Sequence, residues 1–298
     1  MPKLIVIGGP TASEKTALAI ELALALETEI ISADSRQCFK EISIGTAKPT
    51  TEELSKVKHH FIDCFSISEA VNAGVFSKIA NELLSNELEK YKYVVITGGT
   101  GLYIKALLNG MDDLPKVPTE LRDEVKQEFA TKGLAPFQEE LKETDPKYFS
   151  IVDISNHARV LRAIELIRFT GKSFSSLIGN KEQANLYDSK CFTTNLERDL
   201  LYERINLRVD LMIENGLIDE VKSVYAFKNN PALNTVGYSE IFDFLDDKYD
   251  LKTAIDLVKQ HSRNYAKRQI TWFRNQGEFI PIKGATMSEQ LDFILKTI

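Results

Sequence analysis

The sequence predicts an α/β protein built on a parallel β-sheet, with an inserted all-helical segment. Three observations predict it. Short branched apolar runs end in polar or glycine-rich turns three times within the first hundred residues, helical periodicity follows the first and third of those turns, and from Asp112 onward helical spacing replaces the strand pattern. Lys3 to Ile7 (KLIVI) is the first such run. It is cut off by Gly8-Gly9, and from Lys15 the pattern KTALAIELALALE reads as a helix. Glu29 to Ala33 (EIISA) is the second and runs into Asp34-Ser35. Tyr93 to Thr97 (YVVIT) is the third and ends in Gly98-Gly99-Thr100-Gly101 before the helical stretch LYIKALL. Strands fed by helices imply parallel pairing. In open sheets of that kind ligands bind beyond the carboxyl ends of the strands, where these three turns would gather.

Residues 112 to 189 read as the helical insertion, opened by two prolines and carried on through DPKYFSIVDISNHARVLRAIELIRFTG. That divides the chain into a first core part at 1–111, the insertion at 112–189 and a completion of the core at 190–298. In the last part CFTTN (191–195) reads as a returning strand, and Asp199 to Tyr225 and Leu251 to Phe273 as amphipathic helices.

Composition bounds the function. With 298 residues, 43% hydrophobic and 27% charged, the chain has the balance of a globular protein, which excludes a disordered tail, a collagen-like repeat and a disulfide miniprotein. Its 37 Lys+Arg against 43 Asp+Glu give a net charge of −6, so any contact with nucleic acid must come from a local basic patch. Cys38, Cys64 and Cys191 are odd in number and lack metal-type spacing, which fits a reducing compartment, the cytoplasm. No apolar stretch reaches the roughly 18–20 residues that span a bilayer, so neither a membrane segment nor a signal peptide is expected.

The first turn carries chemistry. Gly9-Pro10-Thr11-Ala12-Ser13-Glu14-Lys15-Thr16 matches the phosphate-loop pattern G-x-x-x-x-G-K-[ST] at every fixed position except Glu14, which stands at the second glycine. In such a loop backbone N–H groups and a helix N-terminus surround phosphate oxygens, the lysine adds a point charge and the threonine hydroxyl can hold Mg²⁺. A carboxylate beside the anion weakens binding unless it turns outward. The alternative is a tight turn with Lys15 and Thr16 facing solvent.

GPTASEKT, DSRQ, IGTAKP and GGTGLY follow in order within the first 103 residues, and RNYAKRQITWFR lies near the C-terminus. With NHARVLRAIEL (156–166) and LYERINLRVDLMIENGLIDEV (201–221), these motifs resemble the tRNA dimethylallyltransferase family over essentially the whole chain. The resemblance implies a P-loop NTPase-like core and a reaction: transfer of a five-carbon prenyl group from dimethylallyl diphosphate to N6 of the adenosine next to the anticodon of tRNA. It implies Asp34 as the carboxylate that takes the N6 proton, a need that follows from the weak nucleophilicity of an adenine amino group. It also implies Lys15, Thr16 with Mg²⁺, and Arg204 as the charges that stabilise departing diphosphate, and Thr100 at the mouth of the channel, among the catalytic residues. Gly9, Thr11, Ala12, Ser13 and Glu14 complete the expected diphosphate loop. Arg204 and Arg208 are four apart on a helix, so a solvated face with i,i+4 pairs stays open as the alternative.

A base in a stacked anticodon loop must be extruded to react. Asp34, Ser35, Arg36 and Gln37 are its expected readers, Gln37 through an amide that can pair with an adenine edge or simply hold a loop. Lys259 to Arg274 contains Lys259, Arg263, Lys267, Arg268 and Arg274 with no acid, interleaved with Tyr265, Trp272 and Phe273. This suits phosphate contacts with stacking or packing by the rings, and Lys267 and Arg268 are the expected tRNA contacts. In the insertion Arg122, Arg159 and Arg162 are expected on the anticodon stem-loop, with Ala158 where the family usually has a polar residue. Phe39 stands where the family often has Tyr. His59 and His60 lack a third ligand in sequence and read as structural or pocket-lining. The resemblance implies a monomer. Three rivals remain: prenyl transfer to a free adenine nucleotide, nucleotide phosphorylation, and an RNA-binding protein whose catalysis Glu14 has disabled.

Overall fold

The structure is a computed structural model that describes residues 1–112, 114–179, 186–275 and 279–298; 113, 180–185 and 276–278, which include the end of the expected insertion, lie outside the described residues. The chain divides into two compact units, Met1–Leu108 with Asn185–Ile298, and Asn109–Ala184.

The first unit is built on six strands: β1 (Lys3–Gly8), β2 (Ile30–Ser32), β3 (His59–His60), β4 (Tyr93–Gly98), β5 (Ser189–Thr193) and β6 (Ile280–Pro281). They form one sheet in the order β3-β2-β4-β1-β5-β6, and every pairing is parallel. The continuous apolar runs are explained by burial on both faces. Leu4 and Val6 of β1 enter one core, with Val94 and Ile96 of β4, while Ile5 and Ile7 enter the other, with Val95. Helix α1 (Lys15–Ala25) packs into the second core through Leu18, Ala19 and Leu22.

The remaining helices of this unit are α2 (Thr51–Lys56), α3 (Ala73–Ser85) and α4 (Gly101–Asn109), then, after the second unit, α10 (Arg198–Glu214), α11 (Leu217–Ser223), α12 (Tyr238–Leu245), α13 (Leu251–Asn275) and α14 (Met287–Thr297). The stretch 199–225, expected as one helix, is broken between α10 and α11, because Gly216 adopts φ 96°, a left-handed conformation that closes a helix. The returning strand begins at Ser189 rather than Cys191 and ends at Thr193. Strands β3 and β6 have two residues each, too few to leave a periodic trace.

Helix α13 is pinned beneath the loops by its aromatics. An added Cβ on Gly8 would lie 2.3 Å from the Phe273 ring, and one on Gly101 2.2 Å from Trp272. Trp272 and Phe273 stack edge-on with each other and with Phe279, and Phe273 is buried. Of the two roles left open for these rings, they take packing.

The second unit consists of α5 (Thr119–Lys132), α6 (Ala135–Thr144), α7 (Pro146–Phe149), α8 (His157–Thr170) and α9 (Phe174–Leu177) around Val125, Phe137, Leu141, Val160, Ile164 and Phe174. Buried Asp145 caps α7 through Tyr148 N and holds Ser175 through both its N–H and hydroxyl. Burial alone would raise its carboxyl, but these hydrogen bonds keep it below the usual carboxylate range. Among the described residues no helix is long and apolar enough to cross a membrane.

Candidate active site

The turns after β1, β2 and β4 meet over a cavity of ≈ 340 Å³ in the first unit, lined by residues 11 to 16 of the first turn, Asp34 and Gln37 of the second, Gly98 and Gly99 of the third, and Arg204, Arg208, Tyr265 and Gln269 from α10 and α13. Gln269 ties the assembly together. Its carbonyl accepts from Thr11 N at 2.9 Å and its amide donates to Gly99 O at 3.0 Å, so one buried side chain fixes the first turn to the third. Beyond β5, Thr194 donates to the Ser13 hydroxyl at 2.8 Å, and Ser13 donates to Pro10 O at 2.8 Å.

The loop has the backbone of an anion nest. Ala12 and Glu14 both lie in the left-handed region, with φ 60° and 61°, the kind of alternation from which anion-binding nests are made. Each such non-glycine residue stores on the order of 1 kcal/mol of strain. Glu14 therefore keeps the conformation a glycine would adopt. Its side chain is 60% exposed and turns to Arg204 on α10, with Oε2 2.9 Å from Nη1. The contact lacks hydrogen-bond alignment, and that Nη1, like Arg208 Nε, is a buried donor without a hydrogen-bond acceptor. Arg208 bonds the Thr11 hydroxyl through Nη2. Lys15 Nζ donates to Pro10 O at 2.6 Å.

Three cations thus converge on one loop, and the wall they form has unsatisfied guanidinium donors. Burial depresses the Lys15 ammonium to about 8, opposed by the Asp34 carboxylate and reinforced by Arg208; burial also lowers Arg208. The linkage has a definite sign. Between the folded value near 8 and the ordinary 10.5, the unfolded chain binds more protons, so in the ligand-free protein stability rises with pH across that window. An anion needs the protonated amine. The contribution of Lys15 to diphosphate affinity is therefore expected to be full below about pH 8 and to be lost above it, superimposed on the anion's own titration. Calorimetric titration with inorganic diphosphate at a series of pH values, comparing the parent with Lys15→Ala, checks this: the ratio of the two affinities should shrink above about pH 8, and a ratio independent of pH would exclude Lys15 from the anion site.

Asp34, half-buried two residues beyond β2, accepts from Arg36 N at 2.8 Å and Gln37 N at 3.3 Å through the same oxygen. It lines a second cavity of ≈ 470 Å³, bounded by Ser35, Arg36, 234–237, Glu240, His261 and Arg268. The two cavities share Thr11, Asp34, Thr46, Arg208 and Tyr265. Asp34 stands where they meet. Thr100 accepts from Ser35 N at 3.0 Å and bonds the Ser35 hydroxyl. The Tyr265 hydroxyl is raised to about 12, chiefly by burial and then by Asp34, and it bonds Thr100; the residue as a whole is 36% exposed.

Two expected base readers are engaged otherwise. The Gln37 amide donates to Ala47 O at 3.0 Å and Thr46 O at 3.3 Å and accepts from the Ser32 hydroxyl, so it holds the 46–47 loop. The Arg36 guanidinium donates to the carbonyls of Pro231, Ala232 and Asn234. Both fix the cavity wall in this state. Of the basic stretch on α13, Lys259 pairs with Asp210 and Arg263 bonds Asn206, which docks the helix on α10. Lys267, Arg268 and Arg274 are exposed, and Arg268 lies over the Tyr265 ring at 5.6 Å. In the second unit Arg159 is exposed, Arg162 pairs with Glu165 at 3.1 Å and Arg122 is half-buried.

His59 lines the first cavity, with Nδ1 on Val57 O; His60 bonds Glu29 at 2.6 Å. Glu29, His60 and Glu87 come within ligand reach of one another, but Lys58 pairs with both carboxylates and already meets their charge. Phe39 is buried in the first core. Sequence reasoning missed Gln269 and Thr194, which carry no motif of their own, and left Arg208 as a surface alternative. A signal for Arg208 existed: 204, 208 and 211 form one helical stripe with 207, and all four line the cavity.

Comparison with known proteins places this geometry. The family model described as IPP transferase matches residues 37–276. The chain is 48% identical over 275 residues to a tRNA dimethylallyltransferase of Cytophaga hutchinsonii, covering 92% of this chain and 90% of the relative, and 47% identical over 275 residues to one of Christiangramia forsetii, covering 92% and 91%. Among solved structures it is similar to a tRNA isopentenylpyrophosphate transferase from Bacillus halodurans (TM-score 0.72, 35% identity, 99% of this chain and 96% of that one). It is also similar to a eukaryotic dimethylallyltransferase acting on tRNA (TM-score 0.77, 26% identity, 92% and 70%).

Proposed function

The chain belongs to the tRNA dimethylallyltransferase (IPP transferase) family and transfers a dimethylallyl group to tRNA; on that premise we propose that dimethylallyl diphosphate occupies the first cavity, that an extruded adenosine next to the anticodon enters the second, and that the two react beside Asp34. The single observation that carries this reading is the junction: one carboxylate lies between a cationic loop and a separate polar cavity.

The donor is amphipathic, and so is the first cavity. Arg204 and Arg208 on α10 would grip the diphosphate, whereas Leu207 and Leu211, 61% and 46% exposed on the same stripe, offer an apolar wall to the five-carbon group. Thr16 lines this cavity, and its hydroxyl beside diphosphate oxygens would make an all-oxygen donor set suited to Mg²⁺. The ion, held by Thr16 and diphosphate oxygens, would add positive charge on the leaving group.

In the reaction the N6 lone pair forms a bond to the prenyl carbon as the carbon–oxygen bond to diphosphate breaks. Diphosphate leaves with that electron pair, and Asp34 takes the N6 proton. Lys15, Arg204, Arg208 and the loop N–H groups meet the charge that develops on the departing oxygens. Thr100 holds Ser35 and so the backbone that orients Asp34. Lys267 and Arg268 on α13, and Arg122, Arg159 and Arg162 in the helical unit, would contact the anticodon stem-loop through its phosphates. Action as a monomer is proposed on the family resemblance, and the odd number and non-metal spacing of Cys38, Cys64 and Cys191 support a reducing, cytoplasmic setting.

A competition assay tests the substrate class. With labelled dimethylallyl diphosphate and Mg²⁺, unmodified tRNA is expected to be prenylated faster than AMP at equal concentration. Faster labelling or phosphorylation of AMP would replace this reading with a nucleotide-directed one.

A further inference from the structure

We infer that Glu14 acts as a built-in anionic stand-in for the donor's diphosphate: its carboxylate holds Arg204 while the loop is empty, yields Arg204 when diphosphate binds, and takes it back as diphosphate leaves. The inference rests on the reading of the first cavity as the diphosphate site and concerns a residue that departs from the phosphate-loop pattern.

Four observations lead to it. Glu14 is a non-glycine residue at φ 61°, a strained conformation kept in place of the glycine that would adopt it freely. Its carboxylate meets Arg204 Nη1 at 2.9 Å without hydrogen-bond alignment, so the guanidinium is neutralised but its buried donor is unsatisfied. An acceptor with better-placed oxygens would win it. Both residues line the first cavity, and Glu14 is exposed enough to swing into solvent. The other two cations are also held internally, Lys15 by Pro10 O and Arg208 by Thr11, so the whole loop exchanges internal partners for ligand oxygens.

The exchange has a kinetic meaning. A glycine leaves the arginine with no internal carboxylate to return to, and a diphosphate product bound by three cations and a nest departs slowly. With Glu14 present, the carboxylate competes for one of those cations and repels the anion at short range. Donor affinity and product affinity both fall. The residue thus trades ground-state binding, which does not accelerate the chemical step, for faster clearing of the loop.

Titration of the full-length protein with inorganic diphosphate tests this, comparing the parent with Glu14→Gln and Glu14→Gly. Glutamine removes the charge and keeps the backbone strain; glycine removes both. Each variant is expected to bind diphosphate about ten-fold more tightly than the parent, as suits one partly exposed ion pair together with one like-charge contact. In steady state the donor KM and the inhibition constant for diphosphate should fall together by that factor. In an Arg204→Ala background the part of the Glu14 effect that comes from competition for Arg204 should vanish and only the like-charge repulsion of the anion should remain, so the effect should be smaller than in the parent. Affinities equal to or weaker than the parent's would overturn the inference while leaving the diphosphate site intact, and so would an undiminished Glu14 effect without Arg204. Failure of all three proteins to bind diphosphate would overturn it together with the donor reading.

Discussion

Asparagine at position 34 is expected to lower the rate of prenyl transfer by roughly two to four orders of magnitude, the usual range for removing a positioned general base. The substitution is nearly isosteric. Its amide oxygen can still accept from Arg36 N and Gln37 N, so the turn after β2 keeps its geometry and binding of both substrates should persist. What is lost is the proton acceptor proposed for N6. Single-turnover transfer with saturating tRNA and donor reads the chemical step alone, and a rate within a few-fold of the parent would remove Asp34 from that role. A second consequence is independent of catalysis. Asp34 is the group that raises the Lys15 ammonium, so without its charge the fall in diphosphate affinity should begin at lower pH.

Removal of Arg208 is expected to reduce kcat/KM for the donor by about 10²–10³, the scale for one preorganised group that stabilises a developing oxyanion. Its guanidinium lines both cavities, bonds Thr11 through Nη2 and has a buried Nε donor without an acceptor, the arrangement of a group that awaits an anion. The loop does not depend on it, since Gln269 holds Thr11 through the backbone. Arg208→Ala should therefore fold with the thermal midpoint of the parent to within a few degrees. Because Arg208 lowers Lys15, its loss should move the pH limb of diphosphate binding upward, opposite to the Asp34 variant. Steady-state kinetics with varied donor measure the loss; a change below about five-fold would return Arg208 to the surface role that its spacing also allowed.

The parallel sheet was legible because β1 and β4 are buried on both faces, which leaves uninterrupted branched runs in the sequence. The turns that follow them were legible for a related reason: glycines stand where α13 side chains press against the backbone, as Gly8 and Gly101 do against Phe273 and Trp272. Strands of two residues and the break at Gly216 were not, because neither leaves a period to count. At the site, Lys15 and Asp34 were legible as cavity residues from motifs on their turns, whereas Thr100, expected at the mouth of the channel, lines neither cavity and bonds Ser35. Gln269 was invisible, since its work is to join residues 258 and 170 positions away along the chain. The engagement of Gln37 and Arg36 in the cavity wall also depends on loops that only the fold brings near. Glu14 stood out in sequence as a departure, but its partner could be known only once α10 was placed beside the loop.

The most direct test of the central claim is transfer itself, with the product located. Purified protein, unmodified tRNA carrying an adenosine 3′ of the anticodon, dimethylallyl diphosphate and Mg²⁺ are incubated, and the tRNA is digested and mapped by mass spectrometry while released diphosphate is counted. The account predicts one dimethylallyl group on N6 of that adenosine for each diphosphate released, and no product on the same tRNA when that adenosine is replaced by guanosine. Diphosphate released without prenylated adenosine, or a prenyl group at any other position, would contradict it.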